Sequence, residues 1–64
     1  MFFKWREGSI WHVTGPISRI SWRFVEEGVE VVYTLKDDKD SYTVLVDTEA
    51  YLLNEEGNTI EKIC

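Results

Sequence analysis

The stretch that decides the fold is Ser18–Asp47, which reads SRISWRFVEEGVEVVYTLKDDKDSYTVLVD. Apolar and polar residues alternate with a period of two through three runs, a pattern typical of strands with one buried face. β-branched and aromatic residues dominate these runs, as they do in strands generally. The stretch therefore predicts a meander of three antiparallel strands, over Arg19–Val25, Val29–Lys36 and Tyr42–Asp47.

The alternation also predicts how these strands pair. A two-residue turn at Glu27-Gly28, where the glycine supplies a positive φ, would place Phe24 opposite Val31. A second turn, centred on Asp38-Lys39, would place Val31 opposite Val46. Both registers would gather the apolar residues on one continuous face of the sheet and leave the other face largely polar.

Two further strands are predicted before the meander, at Met1–Glu7 and Ser9–Thr14. Gly15-Pro16 ends the second, because proline lacks an amide donor and suits a turn or a strand start. The segment Ile10–Val13 has apolar residues on both sides. We expect this segment to be buried on two faces or to form an edge that meets another chain.

The region after Asp47 allows two interpretations. Asp47 or Thr48 could cap a short helix that ends at Gly57. Alternatively, Tyr51–Leu53 and Thr59–Ile63 form a hairpin, and the order Asn-x-x-Gly over residues 54–57 suits a type I turn followed by a glycine of positive φ. The hairpin is favoured.

The expected fold is a single all-β domain over residues 1–64 with about six strands and little or no helix. A flat sheet would leave its apolar face in water, so we predict a small antiparallel barrel or a strongly curved meander sheet. A chain of 64 residues buries a limited core and often needs further stabilisation. A well-packed aromatic core, self-association or both could supply it, and the two-sided apolar strand at Ile10–Val13 leads us to expect a homo-oligomer.

Cysteine and histidine usage excludes several kinds of site. The chain has one cysteine, Cys64, and one histidine, His12, so it cannot form an internal disulfide or a zinc site of Cys/His spacing. Asp37, Asp38 and Asp40 resemble half a calcium loop, but no glycine or distal glutamate completes it. No nucleophile is spaced to work with His12. We predict no metal, no cofactor and no enzymatic activity.

Charge is unevenly distributed along the sequence. The net charge is −5, but residues 1–25 carry +3 and residues 26–64 carry −8. All three tryptophans and the histidine lie in the basic part, where basic and aromatic residues can bind a ligand by charge and stacking. The favoured alternative is that the three tryptophans belong to the core and that the arginines pair with acidic residues within the monomer. The candidate binding residues are Trp5, Trp11, His12, Arg19, Trp22 and Arg23.

The leading hypothesis is a small protein-binding module that self-associates and occupies the surface of a partner protein. A viral or prokaryotic inhibitor is one example. We expect it in the cytoplasm, or in the host cytoplasm if the protein is viral. The overall acidity favours a basic partner and disfavours duplex DNA and anionic membranes. No apolar run is long enough to span a membrane. The alternatives are a barrel that binds nucleotides or single-stranded nucleic acid, and a structural subunit of a larger assembly.

Overall fold

The computed structural model describes all 64 residues and contains seven strands in two antiparallel sheets. One sheet has four strands in the order β2-β1-β6-β7, and the other has three in the order β3-β4-β5. No helix of a length and apolarity that could cross a membrane is present. The predicted all-β meander is confirmed, although the sheets do not close into a barrel. The strands are β1 (Phe2–Glu7), β2 (Ile10–Val13), β3 (Ile17–Val25), β4 (Gly28–Leu35), β5 (Ser41–Val46), β6 (Ala50–Leu53) and β7 (Thr59–Lys62).

The first hairpin of the three-stranded sheet differs from the predicted register. Phe24 lies opposite Val29 instead of Val31, and the turn is formed by Glu26-Glu27. Gly28 is therefore the first residue of β4 and not a central turn residue, although it has the expected positive φ, 147°. The inward and outward assignments of the side chains are nevertheless as predicted, because a shift of two residues keeps every side chain on its own side of the sheet.

The second hairpin is displaced in the same way. Val31 lies opposite Val44, and Val46 lies opposite Val29, so the predicted pairing of Val31 with Val46 is wrong. The observed alignment requires a glycine at position 28. A Cβ atom at Gly28 would lie 2.3 Å from the carbonyl oxygen of Val46, so only glycine allows the two backbones to approach here.

The strand β3 begins two residues before its predicted start and contains a β-bulge. Ile17 lies opposite Leu35 and Arg19 lies opposite Thr34, which leaves Ser18 as the extra residue. The bulge changes the side on which the strand's first residue lies, because it shifts the alternation by one. Ile17 consequently points into the core and is only 1% exposed.

The chain ends in the predicted hairpin, and the alternative helix is wrong. The strands β6 and β7 pair antiparallel. The side-chain oxygen of Asn54 accepts hydrogen bonds from the amides of Glu56 and Asn58, at 3.0 and 2.9 Å. Gly57 has a φ of 87°, as the type I turn followed by a positive-φ glycine requires.

The core lies between the inner faces of the two sheets and draws on both. The predicted apolar face of the meander extends beyond it, since Phe24 at the first hairpin tip is 76% exposed and Tyr42 is 40% exposed. One cluster of buried apolar residues joins the two sheets. Its buried members are Phe3, Ile17, Val29, Val31, Val46, Ala50, Leu52 and Ile63.

Candidate functional site

Two basic and two aromatic side chains meet on the face of the four-stranded sheet that points away from the core. The strand register places Arg6 opposite Trp11 and places Lys4 opposite Tyr51. The Lys4 Nζ lies 4.6 Å from the Trp11 ring centroid, and the Arg6 Cζ lies 5.9 Å from it. The ring of Tyr51 lies 6.3 Å from that of Trp11. We call Lys4, Arg6, Trp11 and Tyr51 the outer aromatic cluster, in which cation–π attraction orients the charged groups on the indole.

Glu49 borders the outer aromatic cluster and links two of its members. Its Oε2 lies 3.1 Å from the Arg6 Nε, in an ion pair that lacks the geometry of a hydrogen bond from Nε. Its Oε1 accepts a hydrogen bond from the Tyr51 hydroxyl at 3.2 Å. The pKa of Tyr51 is raised, mainly because burial disfavours the phenolate and also because of Glu49. The cluster therefore holds two cations against one carboxylate.

The strand β2 carries Trp11 and forms a free edge of its sheet. Ile10, Trp11 and Val13 are 60%, 44% and 58% exposed, so three of its four residues are large apolar groups in contact with water. The Thr14 amide donates to the Phe3 carbonyl at 2.9 Å. Because hydrogen-bonding directions alternate along a strand, the amide and carbonyl groups of Trp11 and Val13 point away from β1.

Trp5 and His12 lie on the opposite face of the same sheet from Trp11. Their rings stack at 4.9 Å, and Trp5 also stacks on the buried Phe3 at 4.7 Å. The His12 Nε2 lies 3.3 Å from the Glu7 Oε1. These contacts give both residues a packing role within the monomer.

The remaining predicted site residues belong to the three-stranded sheet. Trp22 is half-buried and packs against the core. Arg23 pairs across the strands with Glu30 at 2.9 Å, whereas Arg19 makes no ion pair. The six residues predicted from the sequence are therefore spread over several surfaces and do not form one site.

The outer aromatic cluster brings Trp11 together with three residues that were not predicted as site residues. Lys4 and Arg6 alternate with Phe3 and Trp5 along β1, which indicates that the two basic residues share a face. Their contact with Trp11 depends on the register of β1 with β2, which the sequence pattern does not determine.

No group of three or more His, Cys, Asp or Glu side chains lies close enough together to hold a metal ion. A scan against protein-family models matches none, and searches of curated proteins and of solved structures find no similar chain.

Proposed function

We propose that the chain is a small, non-enzymatic protein-binding module that self-associates through β2 and acts by covering the surface of a partner protein. The observation that carries this proposal is the exposed edge of β2, where Ile10, Trp11 and Val13 contact water. Exposed edge strands are templates for pairing with another chain.

The other edges of the two sheets differ from β2. Charged side chains protect β3 through Arg19 and Arg23, and β7 through Glu61 and Lys62. The strand β5 is also an uncharged edge, but serine and threonine occupy two of its six positions. Of the four edges, β2 combines the lack of charge with the highest share of exposed apolar residues.

The backbone geometry allows a symmetric pairing of two copies. If two β2 strands run antiparallel about His12, Trp11 lies opposite Val13 of the second copy. The free amide and carbonyl groups of these two residues then form ladder hydrogen bonds, and the two four-stranded sheets join into one. Such a pair buries apolar side chains that the monomer leaves in water.

The outer aromatic cluster supplies the surface for the partner protein. Tryptophan, tyrosine and arginine are the residue types that most often contribute large shares of binding energy at interfaces. Pairing through β2 would bring two clusters onto one extended face. The net charge of −5 over the whole chain favours a partner with a basic surface around the contact.

Light scattering coupled to size-exclusion chromatography tests the self-association. We expect a dimer at high micromolar concentration under reducing conditions, which prevent crosslinking through Cys64. Val13→Lys places a charge on the free edge and should give a monomer. Leu45→Lys is the matched control, because Leu45 is 55% exposed on the uncharged edge β5, and it should leave the dimer intact. A monomeric wild type, or a dimer that only Leu45→Lys dissociates, would contradict the proposal.

Amide hydrogen exchange gives a second and independent measurement. The Trp11 and Val13 amides should exchange slowly at a concentration where the chain is dimeric and rapidly after dilution. The His12 amide faces β1 and should show a much smaller dependence on concentration. Equal behaviour of the three amides would argue against pairing through β2.

Binding of single-stranded nucleic acid is the second candidate function. It is favoured by the two cations that lie on the exposed Trp11 ring, since charged groups beside an aromatic platform bind unpaired bases. A single-stranded oligonucleotide would then quench tryptophan emission, and salt would reverse the effect. The quenching should disappear in a variant that combines Lys4→Gln with Arg6→Gln. This function ranks second because Arg6 already pairs with Glu49 and the chain is acidic overall.

A further inference from the structure

The chain has one pocket, an open groove of about 330 Å³ on the outer side of the three-stranded sheet. It lies where the bulge of β3 meets the loop between β4 and β5, away from the outer aromatic cluster. Only one of its eight lining residues is hydrophobic. The lining residues are Ser18, Arg19, Thr34, Leu35, Lys36, Asp38, Lys39 and Ser41.

The bulge explains why polar groups converge at this groove. The extra residue Ser18 and its neighbour Arg19 are both exposed and both line the groove, whereas an unbroken strand would send them to opposite faces. Across the sheet, the Thr34 Oγ1 lies 2.9 Å from the Ser41 Oγ. The side of the groove therefore presents hydroxyl groups next to a guanidinium.

Three cations of the groove lack an ion-pair partner. Among the other basic residues, Lys4 lies on the Trp11 ring, and Arg6 and Arg23 pair with glutamates. Four cations remain without a partner of either kind, and three of them line this groove. The chain has twelve acidic residues, so a shortage of carboxylates does not explain the grouping. The four are Arg19, Lys36, Lys39 and Lys62.

The single carboxylate in the groove has partners of its own. The Tyr42 hydroxyl donates to the Asp38 Oδ2, and the Asp40 amide donates to the Asp38 Oδ1 at 2.9 Å. These hydrogen bonds lower the pKa of Asp38, the Tyr42 bond having the larger effect, so the carboxylate stays ionised at neutral pH. Among the residues that line the groove, three cations therefore face one carboxylate. The acidic neighbours Asp37 and Asp40 lie outside this lining, and Glu55 is close enough to Lys36 for the two charges to attract.

We propose that this groove binds a small oxyanion of the phosphate class, with inorganic pyrophosphate as the representative ligand. Arg19 offers the planar fork of donors that matches phosphate oxygens, and Lys36 and Lys39 add mobile point charges. The Ser18 hydroxyl donates to the Thr34 carbonyl oxygen at 3.4 Å, whereas the Ser41 hydroxyl can donate to a ligand when the Thr34 hydroxyl donates to Ser41. No aromatic ring lines the groove, so it has no surface on which a nucleobase could stack.

A titration followed by ¹H–¹⁵N correlation spectra tests the proposal, with sodium chloride added to keep the ionic strength constant. Pyrophosphate should cause saturable shifts of the amide signals of Ser18, Arg19, Lys36 and Lys39. The combined variant Arg19→Gln, Lys36→Gln, Lys39→Gln should bind at least about tenfold more weakly, because it removes all three charge-assisted contacts. Arg19→Lys should have an intermediate affinity, since it keeps the charge but loses the fork.

Lys62→Gln is the matched control, because Lys62 is the one unpaired cation outside the groove and the substitution removes a single positive charge, as each groove substitution does. It should leave the affinity for pyrophosphate unchanged. Equal weakening by Lys62→Gln, a lack of saturation, or unchanged binding by the triple variant would each overturn the proposal.

Two further titrations identify the class of ligand and distinguish binding at this groove from self-association through β2. ADP should bind with about the affinity of pyrophosphate if the diphosphate alone is recognised, whereas much tighter binding of ADP would overturn the assignment of a small oxyanion. Val13→Lys should bind pyrophosphate as the wild type does. Failure of self-association would therefore leave the groove proposal standing.

Discussion

Replacement of Gly28 by alanine should destabilise the fold more than any other single-methyl addition at a glycine. The new Cβ would lie 2.3 Å from the Val46 carbonyl oxygen and 3.1 Å from its carbonyl carbon, both of them backbone atoms that cannot rotate away. A side chain at a positive φ costs about 1–3 kcal/mol, and overpacking adds about 1–3 kcal/mol. The expected loss is thus about 2–6 kcal/mol, against a total stability of about 3–10 kcal/mol for a domain of this size.

Two other glycines separate the contributions to this loss. Gly57 has a φ of 87°, but a Cβ added there would meet nothing within 4 Å, so Gly57→Ala should show the cost of conformation alone. Gly15 has neither feature, and Gly15→Ala should lie within about 0.5 kcal/mol of the wild type. Urea unfolding followed by tryptophan emission measures all three changes. If Gly28→Ala costs no more than Gly57→Ala, the close approach of β4 and β5 does not exist as described.

Three further predictions concern packing and titration. Trp5→Ala should cost about 2–3 kcal/mol in urea unfolding because it removes two stacking contacts. Trp11→Ala should cost less, because Trp11 is 44% exposed and does not contact the core. Ile17→Ala should cost about 2–5 kcal/mol by the same measurement, since the side chain is fully buried. Because folding raises the pKa of Tyr51, its protonated hydroxyl stabilises the fold at any pH below the pKa that Tyr51 has in the unfolded chain. This contribution is lost as the pH rises through the pKa that Tyr51 has in the folded chain. In a spectrophotometric alkaline titration, Glu49→Gln should lower the pKa of Tyr51 only in part, because burial is the larger cause of the shift.

Strand positions and faces could be predicted from alternation, but pairing could not. Moving Phe24 from Val31 to Val29 preserves every inward and outward assignment, so the apolar pattern fits both registers equally well. The second hairpin also contains a close approach of Gly28 to the backbone of Val46, which joins residues of different strands. The residue pattern within a single strand does not predict a contact between two strands.

The outer aromatic cluster and the groove both depend on strand pairing that the sequence does not predict, but in different ways. Trp11 could be selected as an exposed aromatic residue from the two-sided strand in which it lies. Its contact with Lys4 and Arg6 follows only from the register of a hairpin. The groove depends on the bulge at Ser18, and no alternation rule predicts a bulge at a position where serine and arginine suit an ordinary strand equally well.

The fold also redistributes the charge that the linear sequence separates into two parts. Lys4 and Arg6 lie on the four-stranded sheet, whereas Arg19, from the same basic part of the sequence, lines the groove with Lys36 and Lys39 from the acidic part. The antiparallel pairing of β3 with β4 is what joins these groups, because it brings the start of one strand to the end of the other. The two basic surfaces therefore belong to different sheets, and a change in one can be studied while the other stays intact. The double variant Val13→Lys, Arg19→Gln should consequently associate as Val13→Lys does and bind the anion as Arg19→Gln does.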